Sequence, residues 1–108
     1  MEQVPQYVTI AKVGDLSPGT CRTVDVHGIF LALCNVEGTY RVVDNTCPHA
    51  GGPLGEGRLV GELLVCPWHG WRFNVRTGER PENPEICVPL VEVRVVGEDI
   101  QVKVPLTL

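Results

Sequence analysis

No stretch of this sequence repeats apolar residues at i, i+3, i+4 and i+7 over the ten or so residues that a helix needs. It offers short alternating runs broken by turn residues, and that restricts the chain to sheet. Tyr7 to Ala11 reads as a first strand and Arg22 to Val26 as a second, with Leu16-Ser17-Pro18-Gly19 turning between them. His27-Gly28 and Glu37-Gly38 are two-residue connections on either side of the apolar run Ile29 to Val36, and the third strand of this set is Thr39 to Asp44. Towards the C-terminus Val91, Val93 and Val95 alternate with Glu92 and Arg94. Beyond Gly97-Glu98-Asp99, the residues Ile100, Val102 and Val104 alternate with Gln101 and Lys103, the clearest hairpin in the sequence. Strands spaced about 8–12 residues apart with Gly or Pro between them predict an all-β fold, an antiparallel sandwich or barrel.

The middle of the chain departs from this rhythm. From Asn45 to Gly57 there are four Gly and two Pro and no alternation, and a short strand, Glu62 to Val65, separates this loop from Cys66 to Gly70. Long loops inside a small domain usually carry function. These two read Cys47-Pro48-His49 and Cys66-Pro67-Trp68-His69, with sixteen residues between His49 and Cys66. Two thiolates and two imidazoles, one of each per loop, make a four-ligand set. It suits one tetrahedral Zn²⁺, or a [2Fe–2S] cluster with both cysteines on one iron and both histidines on the other. Zinc modules usually pair like ligands two to four residues apart, whereas each loop here mixes one Cys with one His.

The segments Cys47-Pro48-His49-Ala50-Gly51-Gly52-Pro53-Leu54 and Cys66-Pro67-Trp68-His69-Gly70-Trp71 resemble the two cluster loops of Rieske-type ferredoxins, and the flanking strands extend the likeness over essentially the whole chain. The resemblance implies a Rieske-type fold in which one domain spans 1–108. Its cluster-binding subdomain covers approximately 45–73, inserted into a β base domain of approximately 1–44 and 74–108. It implies one [2Fe–2S] cluster with Cys47 and Cys66 on the inner iron and His49 and His69, through Nδ1, on the outer one. Gly51, Gly52 and Gly70 would let backbone N–H groups approach the sulfurs. Rieske proteins of respiratory complexes link these loops with two further cysteines, and this chain has Gly52 and Trp68 there. Trp71 follows Gly70 where a hydroxyl residue could have donated to a sulfide, so the potential is expected towards the lower end of the roughly −150 to +300 mV Rieske range. The free ring nitrogens of His49 and His69 lose protons more easily when the outer iron is oxidised, so the midpoint should fall at high pH.

Composition narrows the function. A formal net charge of −4 leaves no basic field for nucleic acid, and the longest apolar runs are far too short to span a membrane. Five cysteines, none in a CxxC pair, are an odd and sparse set for a secreted disulfide scaffold, which points to a cytoplasmic setting. Related oxygenases carry a mononuclear iron on two histidines and a carboxylate, but once the cluster takes two of the three histidines only His27 remains. No Gly-rich dinucleotide fingerprint opens a helix either.

The chain is therefore expected to be no enzyme but a monomeric one-electron carrier. It would pass electrons from an NAD(P)H-dependent flavoprotein ferredoxin reductase to a terminal oxygenase of the aromatic-ring-hydroxylating kind. The runner-up is the small subunit of an assimilatory NAD(P)H nitrite reductase, and the alternative of a different class is a zinc-stabilised binding module.

The remaining chemistry-bearing residues have plainer readings. Cys21, Cys34 and Cys87 are expected as small buried hydrophobes, His27 as a solvent-facing turn residue, and Trp71 and Phe73 as core beneath the cluster. Trp68 belongs either to a docking surface or to packing over the loop. Glu56, Glu62, Glu79, Glu82 and Glu85 are a solvated face that could also steer a basic partner.

Overall fold

The computed structural model describes residues 4–106. Its strands are β1 (Val4–Lys12), β2 (Cys21–Val26), β3 (Ile29–Val36), β4 (Thr39–Asp44), β5 (Arg58–Val60), β6 (Leu63–Val65), β7 (Arg72–Asn74), β8 (Glu79–Arg80), β9 (Asn83–Cys87), β10 (Leu90–Val91), β11 (Val93–Val96) and β12 (Asp99–Leu106). One 3₁₀ turn, Leu54–Glu56, is the sole helical element among the described residues.

Strands β2, β3 and β4 lie close to where alternation places them, because turn chemistry fixes them locally. His27 and Gly28 have φ of 53° and 85°, and Glu37 and Gly38 have 50° and 93°. Left-handed geometry at both central residues is what a two-residue hairpin needs to match the twist of its strands.

Every strand pairing is antiparallel. The central sheet runs β10-β4-β3-β2, flanked by β1-β12-β11 and by β5-β6-β7, with a small β8-β9 pair beside them. The central sheet is buried on both faces. Leu31, Leu33, Val24 and Val42 pack with Ile100 and Val102, whereas Ala32, Cys34 and Val43 pack with Leu54, Leu64, Phe73, Cys47 and Cys66. A strand with two apolar faces reads as a continuous run rather than an alternation, which accounts for Leu31 to Cys34. Burying each large side chain of these layers contributes about 1.5–3 kcal/mol.

Two expectations are corrected by non-local pairing. Val91 does not belong to the C-terminal hairpin: it pairs with Val42 on the central sheet, and only Val93 to Val96 pair with β12. The chain changes sheets at Glu92, whose carbonyl accepts the Lys103 N–H at 2.9 Å. Cys87 is exposed, because β9 pairs only with the two-residue β8, whereas Cys34 is buried and Cys21, its cross-strand partner, is half-buried. The pairing of β1 with β12 joins the two ends of the described chain. Val104 lies within β12, but its side chain is outside the described residues.

Candidate metal centre

Both ligand loops close on the same hydrogen bond. In the first, the Cys47 N–H donates to the Gly52 carbonyl at 2.9 Å; in the second, the Cys66 N–H donates to the Trp71 carbonyl at 2.8 Å. Each cysteine therefore opens a six-residue loop whose histidine projects from the tip. Loop two is the connection of the β6–β7 hairpin. Its His69-Gly70 pair has φ of 73° at both residues, the same left-handed X-Gly geometry as the turns at His27 and Glu37. For a residue with a side chain that conformation is strained, and it persists at His69 because the flanking strands impose it.

Loop one lacks such a hairpin and is tied by side chains. Asn45, buried at 6% exposure, accepts the Gly55 N–H at 2.7 Å and the Thr23 hydroxyl at 3.1 Å through Oδ1, while its carbonyl accepts the Leu54 N–H at 2.7 Å. Asp44 Oδ1 takes the Thr46 N–H at 2.8 Å. A Cβ at Gly55 would stand 2.4 Å from the Thr23 hydroxyl, so the returning limb of the loop can lie against β2 only with glycine there. Asn45 and Thr23 were not legible as site residues; an Asn two positions before the first cysteine was the only signal.

The four sequence candidates separate by depth. Cys47 and Cys66 are buried at 1% and 2% exposure, and His49 and His69 are exposed, their ring centroids 5.2 Å apart and edge to face. Burial pushes the Cys66 thiol above its ordinary value and the adjacent Cys47 thiol pushes it further, against the Trp68 N–H, which lies 3.4 Å from Cys66 Sγ and favours the thiolate. Without a metal the Cys66 thiol holds its proton, so taking up a metal there releases it.

The loops meet at Gly52, where a Cβ would stand 2.7 Å from Cys66 Sγ and 3.1 Å from the Trp68 ring. Where respiratory Rieske proteins would have a second cysteine pair, a glycine lies against an indole. Among the described residues no three His, Cys, Asp or Glu side chains gather where one ion could sit. A buried thiol pair with an exposed imidazole pair suits a group that spreads its ligands over two metal atoms.

Trp71 packs against the core beneath the loops, as expected, but at its edge. It is half-buried and stacks on His49, centroids 4.0 Å apart and planes at 12°. Phe73 is fully buried beneath, as expected, and His27 faces solvent. Trp68 is 48% exposed beside the histidines. Of the acidic residues, Glu62 pairs with Arg76 at 3.4 Å and Glu82 with Arg72 at 3.2 Å, which reduces the field left to steer a partner.

Comparison with known proteins agrees with this geometry. The Rieske [2Fe–2S] domain family matches residues 6–102. The ferredoxin component of biphenyl 2,3-dioxygenase from Rhodococcus jostii (strain RHA1) is 36% identical over 95 residues, 86% of this chain and 88% of that protein. In the complex of reduced oxygenase and oxidised ferredoxin of carbazole 1,9a-dioxygenase, a chain of 33% identity superposes with a TM-score of 0.81, over 88% of this chain and 99% of its own. A protein described as the small subunit of an NADH-dependent nitrite reductase from Mycobacterium tuberculosis shares the fold, at 24% identity and a TM-score of 0.84, over 94% of this chain and 96% of its own. No helix among the described residues is long and apolar enough to cross a membrane. With a family match that takes in both ligand loops and a ferredoxin relative covered over most of its length, the chain belongs to the Rieske [2Fe–2S] family as an electron-transfer protein of the ferredoxin kind.

Proposed function

We propose that this chain is a cytoplasmic, monomeric one-electron carrier that delivers electrons to a terminal oxygenase of the aromatic-ring-hydroxylating kind and receives them from an NAD(P)H-dependent flavoprotein reductase. Cys47 and Cys66 hold the inner iron of the cluster and His49 and His69 the outer one. The segment of about 45–73 is the cluster-binding subdomain on a base of about 1–44 and 74–108. The observation that carries the reading is the gradient of exposure from buried thiols to exposed imidazoles. The bound cluster supplies one-electron redox chemistry. The chain's own residues do the rest: the thiols, sealed by Leu54, Leu64 and Phe73, keep water from the inner side, and the imidazoles carry the outer side to the surface. An electron can then pass to a partner that touches His49, His69 and Trp68 without opening the fold.

Identity supports the oxygenase reading over the nitrite reductase one, at 33–36% against 24%, where the likeness is of fold alone. The test is elemental analysis and EPR after dithionite reduction. Two irons per chain and a rhombic signal of low average g are expected, with loss of that signal in His49→Ala and His69→Ala. A colourless zinc protein would overturn the reading. Gel filtration alone and with a sirohaem protein separates carrier from subunit, a stable complex being the result against the carrier.

A further inference from the structure

Arg80 lies on β8, outside both ligand loops, with its guanidinium carbon 3.6 Å from the centroid of the Trp71 ring. The same indole lies nearly parallel to His49 at 4.0 Å. A cation, an aromatic ring and a candidate iron ligand are thus in contact in series, although His49 and Arg80 are far apart in the chain. Arg80 is half-buried and its Nε, shielded from solvent, has no hydrogen-bond partner. Among the described residues no carboxylate forms an ion pair with it: Glu82 is engaged by Arg72 at 3.2 Å and Glu62 by Arg76 at 3.4 Å. An unpaired buried donor is a cost, and here the indole face rather than hydrogen bonding holds the group in place.

We infer that Trp71 and Arg80 are positioning residues for the redox centre, Trp71 fixing the plane of the His49 ring and the Arg80 guanidinium biasing the centre towards its reduced form. This rests on the ligation by His49 proposed above. Reduction adds one negative charge, and a cation roughly 8 Å or less from the ligand ring, partly out of water and uncompensated, stabilises it. Trp71 brings no hydroxyl donor to a sulfur, which would leave the potential low; Arg80, seated on that tryptophan, would offset part of the deficit.

The experiment is an EPR-monitored redox titration of the intact protein as wild type, Arg80→Gln, Arg80→Lys, Trp71→Phe and Trp71→Ala, with iron content measured on each. Arg80→Gln is expected to lower the equilibrium constant for reduction three- to tenfold, tenfold being about 59 mV for one electron. Arg80→Lys should titrate close to wild type. Trp71→Ala should shift or broaden the g values as the His49 ring is freed, and Trp71→Phe should leave them unchanged. Equal midpoints in wild type and Arg80→Gln would overturn the inference, as would an equal fall in Arg80→Gln and Arg80→Lys, which would indicate packing rather than charge. If Arg80→Gln retains no iron, Arg80→Met, whose stem keeps contact with the indole, takes its place with the same two outcomes. A wild type with no histidine-ligated signal would instead overturn the ligand assignment, so the two failures are distinguishable.

Discussion

Loop one, Cys47 to Gly52, and loop two, Cys66 to Trp71, share a closing hydrogen bond and a ligand pattern but are supported by different physics. Loop two is the end of a hairpin whose strands bury Leu64 and Phe73, so its geometry follows from strand register and from apolar burial. Loop one follows β4 and returns through a 3₁₀ turn, and its shape depends on Asn45, Thr23 and the close approach of Gly55. Hydrogen bonds of this kind contribute modestly when made and cost more when half of the set is removed. Loop one should therefore be the more easily detached of the two, and loop two should fail only with the fold.

The largest effect should come from the support of loop two. Phe73→Ala is expected to cost about 3–5 kcal/mol of global stability in denaturant unfolding, with cluster loss and unfolding coinciding. Asn45→Ala should cost about 1–3 kcal/mol by the same assay, because it leaves the Gly55 N–H and the Thr23 hydroxyl unpaired. Its cluster should be lost at denaturant concentrations below the global transition, and coincident transitions would break the contrast between the loops. Gly52→Ala probes the point where they touch. Its Cβ must displace Cys66 Sγ or the Trp68 ring, so iron retention and Trp68 fluorescence should change while stability falls by about 1–3 kcal/mol.

The smallest effect at neutral pH concerns the floor beneath both loops. Burial, with Cys21 adding to it, pushes the Cys34 thiol up to about 12. The unfolded chain gives up that proton from about pH 9 while the folded chain keeps it, so the contribution is intact below 9 and is lost as pH rises towards 12, by up to about 4 kcal/mol. Unfolding from pH 7 to 11 should show a shallower alkaline decline in Cys34→Ala than in wild type, and equal slopes would remove Cys34 as the cause.

Much of this was legible because it is local. The X-Gly pairs at 27 and 37 specify hairpins through the φ they tolerate, and the mirrored Cys and His spacing offers a candidate ligand set before any contact is known. His69-Gly70 is a third such pair, its turn geometry hidden by the metal motif to which it belongs. Alternation gives the face on which Val91 lies and not the sheet to which it belongs, which its pairing with Val42 decides. The stacking of Trp71 on His49 has no local signal, because an aromatic beside Arg72 looks the same whether it packs on the apolar core alone or on a histidine as well.

By itself the sequence determined the class of fold, the two loops and the four candidate side chains proposed for the cluster, since period-two alternation, turn chemistry and side-chain identity are properties of neighbouring residues. Tertiary structure decided that the two ends of the described chain pair, that the central sheet is buried on both faces, that Asn45 and Gly55 brace one loop, and that Arg80 reaches His49 through Trp71. Those contacts join segments tens of residues apart, and their register is set by how whole sheets pack, which no local pattern encodes.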